Sequence, residues 1–389
     1  MMAKLGEVCT IVSGSTPKTS VTSYWDGNIK WITPAELNED TFYIMDSVRH
    51  ITEEGKEKTG LSYLPAGTVI LSSRAPIGKT AIAGCEMCCN QGFKNLICSD
   101  AIYNEYLYFF LKSKTDYLNS LGRGATFKEI SKSIVESIEI PLPEVNQQKE
   151  IAEKFKKLEQ LISLRKQQLA KLDELVKARF VAMFGDLASP ACPWKKEKIV
   201  NICADQDDIK CGPFGTQLSK DEYQSTGVAV WEIPQINSNF LLKPTHFITA
   251  EKALQLESYS IIPGDIAMSR KGNVGRCAVF PENLKNGIIH SDVLRIRIDK
   301  KRAVPTFMMH QLHNSNFIKH QIELVSSGAI MAGINVTKLK EIEVHLPPLT
   351  LQNEFAAFVE RVDQQKQTVQ QSLEKLELMR KALMQEYFG

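Results

Sequence analysis

The sequence predicts a mixed α/β (α+β) protein: two globular units joined by two long helices that pair as an antiparallel coiled coil with pseudo-twofold symmetry. Three observations predict it. Residues 138–185 (IEIPLPEVNQQKEIAEKFKKLEQLISLRKQQLAKLDELVKARFVAMFG) and 342–389 (IEVHLPPLTLQNEFAAFVERVDQQKQTVQQSLEKLELMRKALMQEYFG) align without a gap at an offset of 204. In both, apolar residues recur at alternating spacings of four and three over five heptads. Ahead of each lie short apolar strand patterns, and GTVILSSRAPIGK (67–79) aligns without gaps to GDIAMSRKGNVGR (264–276).

The chain has 389 residues, which suits two to four domains, and 43% hydrophobic with 24% charged content can bury sizeable cores. No apolar run approaches the ~18 residues of a membrane helix. The opening MMAKLGEVCT lacks the apolar core and cleavage site of a signal peptide, so a cytoplasmic protein is expected. Nine scattered cysteines, an odd number, fit a reducing compartment. Cys85 and Cys88 have C-x-x-C spacing, but no second pair or paired His lies nearby; zinc ligands and small buried side chains both stand as readings. A net charge of +2 excludes a large basic excess and confines any nucleic-acid contact to local patches, or to a partner that shares the electrostatic work.

The first globular unit is residues 1–143. Its Trp31-Ile32-Thr33-Pro34 follows a strand pattern, and Trp231-Glu232-Ile233-Pro234 answers it in the second unit, 187–347; Ile51-Thr52 answers Ile248-Thr249 in the same way. Gly78-Lys79-Thr80 has the tail of a phosphate-binding P-loop. That loop needs glycine where Ser73 stands, and Pro76 removes one of the amides that would cradle phosphate. The second copy reads Gly275-Arg276-Cys277, so the shared pattern is a hairpin and not a nucleotide site. NEYLYFFLKSKTDYL (104–118), with Leu107, Leu111, Leu118 and Leu121 at helical spacing, reads as packed helix in preference to a base-stacking platform. Further on, the offset of 204 pairs Gly124-Ala125 with Gly328-Ala329 and Ile130 with Ile334.

The helical segments are 144–186 and 348–389. The first carries the seam Ile151, Phe155, Leu158, Ile162, Leu169, Leu172, Val176 and Met183, interrupted by Arg165 and Arg179. The second carries Phe355, Val359, Val362, Val369, Leu373, Leu376, Leu383 and Tyr387, interrupted by Lys366 and Arg380. Arg165 aligns with Val369 and Lys366 with Ile162, and polar residues at such unlike places fix register and orientation. A helix packed only on its own globular unit is the other reading of each stripe. Prolines 141, 143, 347 and 348 end the preceding strands, and Gly185 suits the C′ position of the first helix.

The order globular unit, helix, globular unit, helix carries several local marks. They are the opening KLGEVCTIVSGSTPKT, the W-I-T-P segment, the hairpins PAGTVILSSRAPIGK and PGDIAMSRKGNVGR, and the helix entry IEIPLPEVNQQKEIAEKF. Together they resemble the specificity subunits of type I restriction–modification systems over essentially the whole chain. The resemblance implies a non-catalytic subunit of a restriction endonuclease/adenine methyltransferase complex. Each globular unit would be a target-recognition domain reading one half of a bipartite, asymmetric sequence in double-stranded DNA. The helices would fix the unread spacer and dock two methyltransferase (modification) subunits, which endonuclease/translocase (restriction) subunits join. At roughly 1.5 Å per residue, about 37 residues give each helix about 55 Å, against about 34 Å between half-sites one DNA turn apart.

The residues agree on missing chemistry. No N-P-P-[YF] tetrapeptide occurs and no G-x-G-x-x-G follows a strand, so no catalytic residues and no cofactor are expected. His310, His313 and His320, in MMHQLHNSNFIKH, are either a metal triad or helical surface positions, and Asp207-Asp208 reads as a solvated pair in a polar turn. A coiled-coil scaffold without sequence-specific DNA reading is the alternative function. It explains the helices but gives no reason for two heads that share a core pattern while their loops differ.

DNA reading needs cations for phosphates and Arg, Lys, Asn, Gln, Ser or Thr for base edges. In the first head the candidates are Ser15, Thr16 and Lys18 of the loop Ser13–Lys18, Thr33 after the W-x-x-P strand, and Arg74 and Lys79 of the hairpin. In the second they are Lys210, Thr216 and Gln217 of the loop 210–217, Gln235 and Asn237 after the strand, and Arg270, Lys271 and Arg276, with Asn273, in the hairpin. Ordinary Gly/Pro turns are the competing reading of both loops. Arg74 and Lys271, aligned across the copies, are expected to make equivalent contacts.

Overall fold

Each head begins and ends at the foot of a long helix. Strand Met2–Lys4 lies antiparallel on Glu139–Pro141, with Ala3 opposite Ile140, just before the helix Val145–Phe184. Lys195–Lys198 lies likewise on Glu343–Leu346, just before Leu349–Phe388. Pro141 itself stands in the ladder opposite Met2 and Leu142 still donates to Met1 O, so pairing stops at Pro143 there and at Pro347 and Pro348 in the second head, which cannot donate. The computed structural model describes residues 1–38, 41–74, 76–123, 128–326 and 333–389. The chain divides into two compact units, one of Met1–Gln167 with Gln370–Gly389, the other of Gln168–Val369. Each therefore holds one head, the part of the following helix nearest it, and part of the other helix.

The first unit contains a five-stranded sheet in the order Cys9–Ser13, Phe93–Cys98, Val69–Ser72, Thr80–Ala83, Tyr43–Ile44. Beside it is a three-stranded sheet, Arg49–Ile51, Trp25–Ile32, Cys88–Cys89. Val69–Ser72 and Thr80–Ala83 form the expected hairpin, Val69 opposite Ile82, with Gly78 at φ +96° in the turn. Both strands are buried along their whole length, which is why they read as unbroken apolar runs. The helix Asn104–Ser113 covers one face and contributes six consecutive buried residues, Tyr106–Leu111, to the core.

The second unit repeats the plan. One sheet runs Ile209–Cys211, Val293–Ile296, Ile266–Ser269, Cys277–Val279; the other runs His246–Ile248, Val228–Trp231, Gly287–Ile289, Ser260–Ile261. Ile266 faces Val279 in the equivalent hairpin, with Gly272 and Gly275 at positive φ. Ile130 and Ile334 are also equivalent: each donates its N–H into the hairpin of its own head, to Ser73 O and Arg270 O. Gly124-Ala125 and Gly328-Ala329 lie outside the described residues.

One correspondence read from sequence is corrected. In the parallel ladders Trp31 stands opposite Cys88 and Ile32 opposite Cys89, whereas Val230 stands opposite Ile288 and Trp231 opposite Ile289. The residue equivalent to Trp231 is thus Ile32, one position after Trp31. A one-residue slip turns a strand side chain to the other face. Trp31 accordingly packs with Trp25, Ile29 and Ile51, while Trp231 packs with Ile236, Phe240 and Phe280. Thr33 then matches Glu232. Each precedes a helical turn and donates its N–H to the side chain three residues on, Thr33 to Glu36 at 2.7 Å and Glu232 to Gln235 at 3.1 Å.

Both long helices have 40 residues, and Gly185 ends the first at φ +75° with its N–H on Val181 O. Every seam residue named from sequence is buried or half-buried, whereas Leu161, Leu164, Leu175 and Val181 on the other faces are exposed. Within the first unit the helical segments run antiparallel. Phe155 stacks on Phe388 at 5.6 Å, Arg380 pairs with Glu159 at 3.4 Å, and Arg165 donates to Ser372. Within the second, Phe180 meets Phe355 at 5.4 Å, Lys366 pairs with Asp173 at 2.5 Å, and Arg179 lies over Phe358. All four cations that interrupt the seams therefore have a partner on the facing helix. Phe388 is buried against Tyr106 and Phe110, and Phe184 against Phe307 and Phe355.

Candidate nucleic-acid interface

The glycines of both candidate loops are required by close packing. A Cβ on Gly14 would lie 2.0 Å from Asn90 O, and one on Gly212 would lie 2.3 Å from His290 O. These loops are therefore seated on the chain that leads from Cys88–Cys89, or Gly287–Ile289, into the next long strand. In the first head Ser15 donates its N–H to Cys89 O, Thr16 bonds Gln91, and Asn90 donates to Thr16. The indoles of Trp31 and Trp25 donate to the carbonyls of Ser15 and Lys18, leaving the Lys18 side chain exposed. In the second head Lys210 lies 5.3 Å over the Tyr259 ring, Gln217 accepts from the Tyr259 hydroxyl, and Thr216 is exposed.

Arg74 and Lys271 occupy the same backbone place. Arg74 bridges to Glu129 and Lys271 to Gly333, positions that are themselves 204 apart. Their side chains are engaged differently. Arg74 pairs with Glu129 at 2.9 Å, and Lys94 joins it at 3.3 Å; Lys271 pairs with Asp292 at 2.8 Å. Burial pushes the Glu129 carboxyl up, but the hydrogen bonds and charges of Arg74 and Lys94 outweigh that and hold it below the usual carboxylate range.

Three candidates prove to be engaged with the chain's own groups. Lys79 gives its ammonium to the carbonyls of Pro34, at 3.2 Å, and Leu37, at 2.6 Å. Its aligned partner Arg276 reaches Asn237 O, Asn239 Oδ1 and the His313 ring. Each clamps its hairpin to the turn that follows the central strand. Gln235 is buried, accepting from Glu232 N and donating to Lys243 O, whereas Asn237 beside it is exposed. Thr33 donates its hydroxyl to Glu36, and Arg270 spends NH1 on Cys211 Sγ and Ser291 O while lying over Phe214.

Sequence reasoning missed a polar chain in the second head. His246 Nδ1 stands 2.7 Å from Glu232, which reaches His290 at 4.0 Å; His290 lies 3.9 Å from Asp292, the partner of Lys271. These residues come from the strand His246–Ile248 and from three loops, and only the strand register brings them together. Through Gly212 on His290 the same chain touches the glycine loop. The histidine cluster also needs correcting. Only His320 is on the helical surface; His310 packs edge-on to Phe355 and His313 meets Arg276. Among the described residues no three His, Cys, Asp or Glu are grouped as for a metal ion. Cys88 and Cys89 are buried, and burial pushes the Cys89 thiol up to about 12.

The arrangement offers two sets of loops on one frame: a glycine loop, a capped turn and a hairpin in each head, with unlike donors and acceptors. Comparison with known proteins supplies the context. A family model described as the type I restriction modification DNA specificity domain matches residues 1–174 and 208–378. The chain is 38% identical over 200 residues to the type I restriction enzyme MjaIX specificity subunit of Methanocaldococcus jannaschii, across 51% of this chain and 45% of that protein. It thus spans about half the length of that relative. The MjaVIII specificity subunit of the same organism is 21% identical over 399 residues, covering 98% of this chain and 90% of that one. Two solved structures share the fold across the whole chain. A type I restriction–modification S subunit from M. genitalium has TM-score 0.60 at 16% identity, over 96% of its own length. A chain from a study of the assembly and conformational transition of a type I R-M system has TM-score 0.61 at 17%, over 97%.

Proposed function

The chain belongs to the family of type I restriction–modification DNA specificity domains, and on that premise we propose that each of its heads reads one half of an asymmetric, bipartite DNA target. It acts as the non-catalytic sequence-reading subunit of a complex with two methyltransferase subunits, joined by endonuclease/translocase subunits, in the cytoplasm. The paired helices set the length of the unread spacer and supply the docking surface for the methyltransferases. One observation carries the reading: the strands that the two heads share keep the same ladders position by position, while the equivalent loop residues change chemistry. Thr33 becomes Glu232, Arg74 becomes Lys271, and Asn90 becomes His290 beside the conserved close approach of Gly14 and Gly212. One frame with two donor–acceptor sets suits two unlike half-sites. Methylome sequencing of cells carrying the chain with its methyltransferase tests this. A two-part motif with a fixed gap is expected. Methylation without sequence bias would sink the reading and favour the scaffold.

A further inference from the structure

The turn Asn273–Arg276 does not lie flat on the helices beside it. Between it and the helices Pro305–Asn314 and Asn316–Ser326 a cleft of about 320 Å³ opens, with Asn273, Arg276, His313, Lys319 and Glu323 as its polar lining. Arg276 is fixed before any ligand arrives, with NH1 3.0 Å from the His313 ring and NH2 on Asn237 O and Asn239 Oδ1. His313 is held neutral, its pKa lowered to about 4, first by burial and then by the positive charges of Arg276, Lys319 and Lys177. Three cations thus bear on one imidazole, and the field in the cleft favours an anion. In the first head Asn119 ties the matching turn down by donating to Ile77 O.

We propose that this cleft binds a phosphate group, and that its source is a backbone phosphodiester of the DNA whose bases the second head reads. The inference rests on the sequence-reading function above and deepens it. Arg276 offers a fixed positive charge, its fork already engaged by Asn237, Asn239 and His313, and Lys319 a mobile point charge. Glu323 offsets one of them, so the lining matches the single charge of a diester better than a dianion. A phosphate contact carries no sequence information, but it fixes the register of the head on the duplex.

The test uses the chain with its methyltransferase subunits and a target duplex in which single phosphates of the second half-site are replaced, one at a time, by uncharged methylphosphonates. One position is expected to weaken the wild type about tenfold. Lys319→Gln, already weaker on unmodified DNA, should lose nothing further there, and its salt slope should be shallower by about 1. Asn273→Ala, on an exposed turn, gives a second variant with the same expectation. Equal losses at every position in wild type and both variants overturn the assignment. Inorganic phosphate is the second probe, followed at the His313 ring by NMR. A response abolished by Lys319→Gln, with a flat methylphosphonate scan, keeps the phosphate chemistry and overturns the DNA source. Silence in both arms ends the proposal. Loss of target preference with the scan intact would instead strike the sequence-reading function.

Discussion

Gln148 and Gln352, 204 residues apart, share two bonds at the foot of their helices. Each side-chain amide donates to the carbonyl of the proline five residues earlier, Pro143 at 2.8 Å and Pro347 at 2.7 Å. Each also accepts the N–H that caps the neighbouring core helix, from Tyr103 at 2.8 Å and Val304 at 2.9 Å. Both glutamines are fully buried. They weld the start of a long helix to its head. Gln148→Leu would leave several buried backbone groups unpaired and should cost the first unit about 1–3 kcal/mol, and Gln352→Leu the second. Hydrogen exchange resolved by segment checks this; a loss shared equally by both units would contradict it.

Gly14→Ala and Gly212→Ala should each displace a candidate loop, since the new methyl would overlap backbone, not a movable side chain. The expected outcome is weakened recognition of one half-site with the other still read. Binding to duplexes in which only one half-site is randomised distinguishes the two. Wild-type affinity in both variants would remove the loops from the interface.

Arg74→Ala and Lys271→Ala break part-exposed ion pairs, worth little to stability, so melting temperatures should barely move. DNA affinity should fall by about 1–3 kcal/mol if the cation forks a guanine, or the salt slope should lose about 1 if it meets a phosphate. Unchanged affinity together with an unchanged slope would eliminate both residues.

His310 and His313 enter the folded second unit neutral. Burial is the larger cause for each and lowers both to about 4, with His313 adding repulsion at His310 and Arg276 at His313. An unfolded histidine titrates near about 6.5, so between there and about 4 the unfolded chain binds protons the folded unit refuses. The stability is fully present above that window and drains as pH falls through it. Melting of residues 168–369 should therefore drop between about pH 6.5 and 4, and the double variant His310→Gln/His313→Gln should flatten the curve. A wild-type curve already flat would refute the assignment.

Inserting one heptad into both helices preserves the seam and adds about 10.5 Å. If the helices set the spacer, the preferred gap should grow by about three base pairs at roughly 3.4 Å each. Methylome sequencing of the lengthened chain reads the gap directly, and an unaltered gap would refute the ruler.

The long helices, their caps and the hairpins were legible because each depends on local signals: seam spacing, proline, glycine, and apolar runs bounded by turns. The tryptophan correspondence failed because sequence similarity at Trp31 and Trp231 says nothing of which ladder rung each occupies, and strand register is decided by cross-strand partners far away in the chain. The candidate site divided along the same line. Arg74 and Lys271 could be paired from the repeat alone. That Lys79 and Gln235 face inward depends on carbonyls presented by the turn beyond the central strand, and the chain from Glu232 to Lys271 depends on three loops meeting. His313 looked like helical surface because nothing local announces that a hairpin arginine will fold over it.

Phe388, locked among Tyr106, Phe110 and Phe155, has a consequence for how the protein is made. The unit Gln168–Val369 is one uninterrupted stretch and can close as soon as it leaves the ribosome. The unit translated first cannot. Its aromatic cluster stays open until residues 370–389 have been synthesised and a loop of roughly 200 residues has closed. A nascent chain stalled before that point would carry a finished second head and a first head whose aromatic cluster still lacks Phe388.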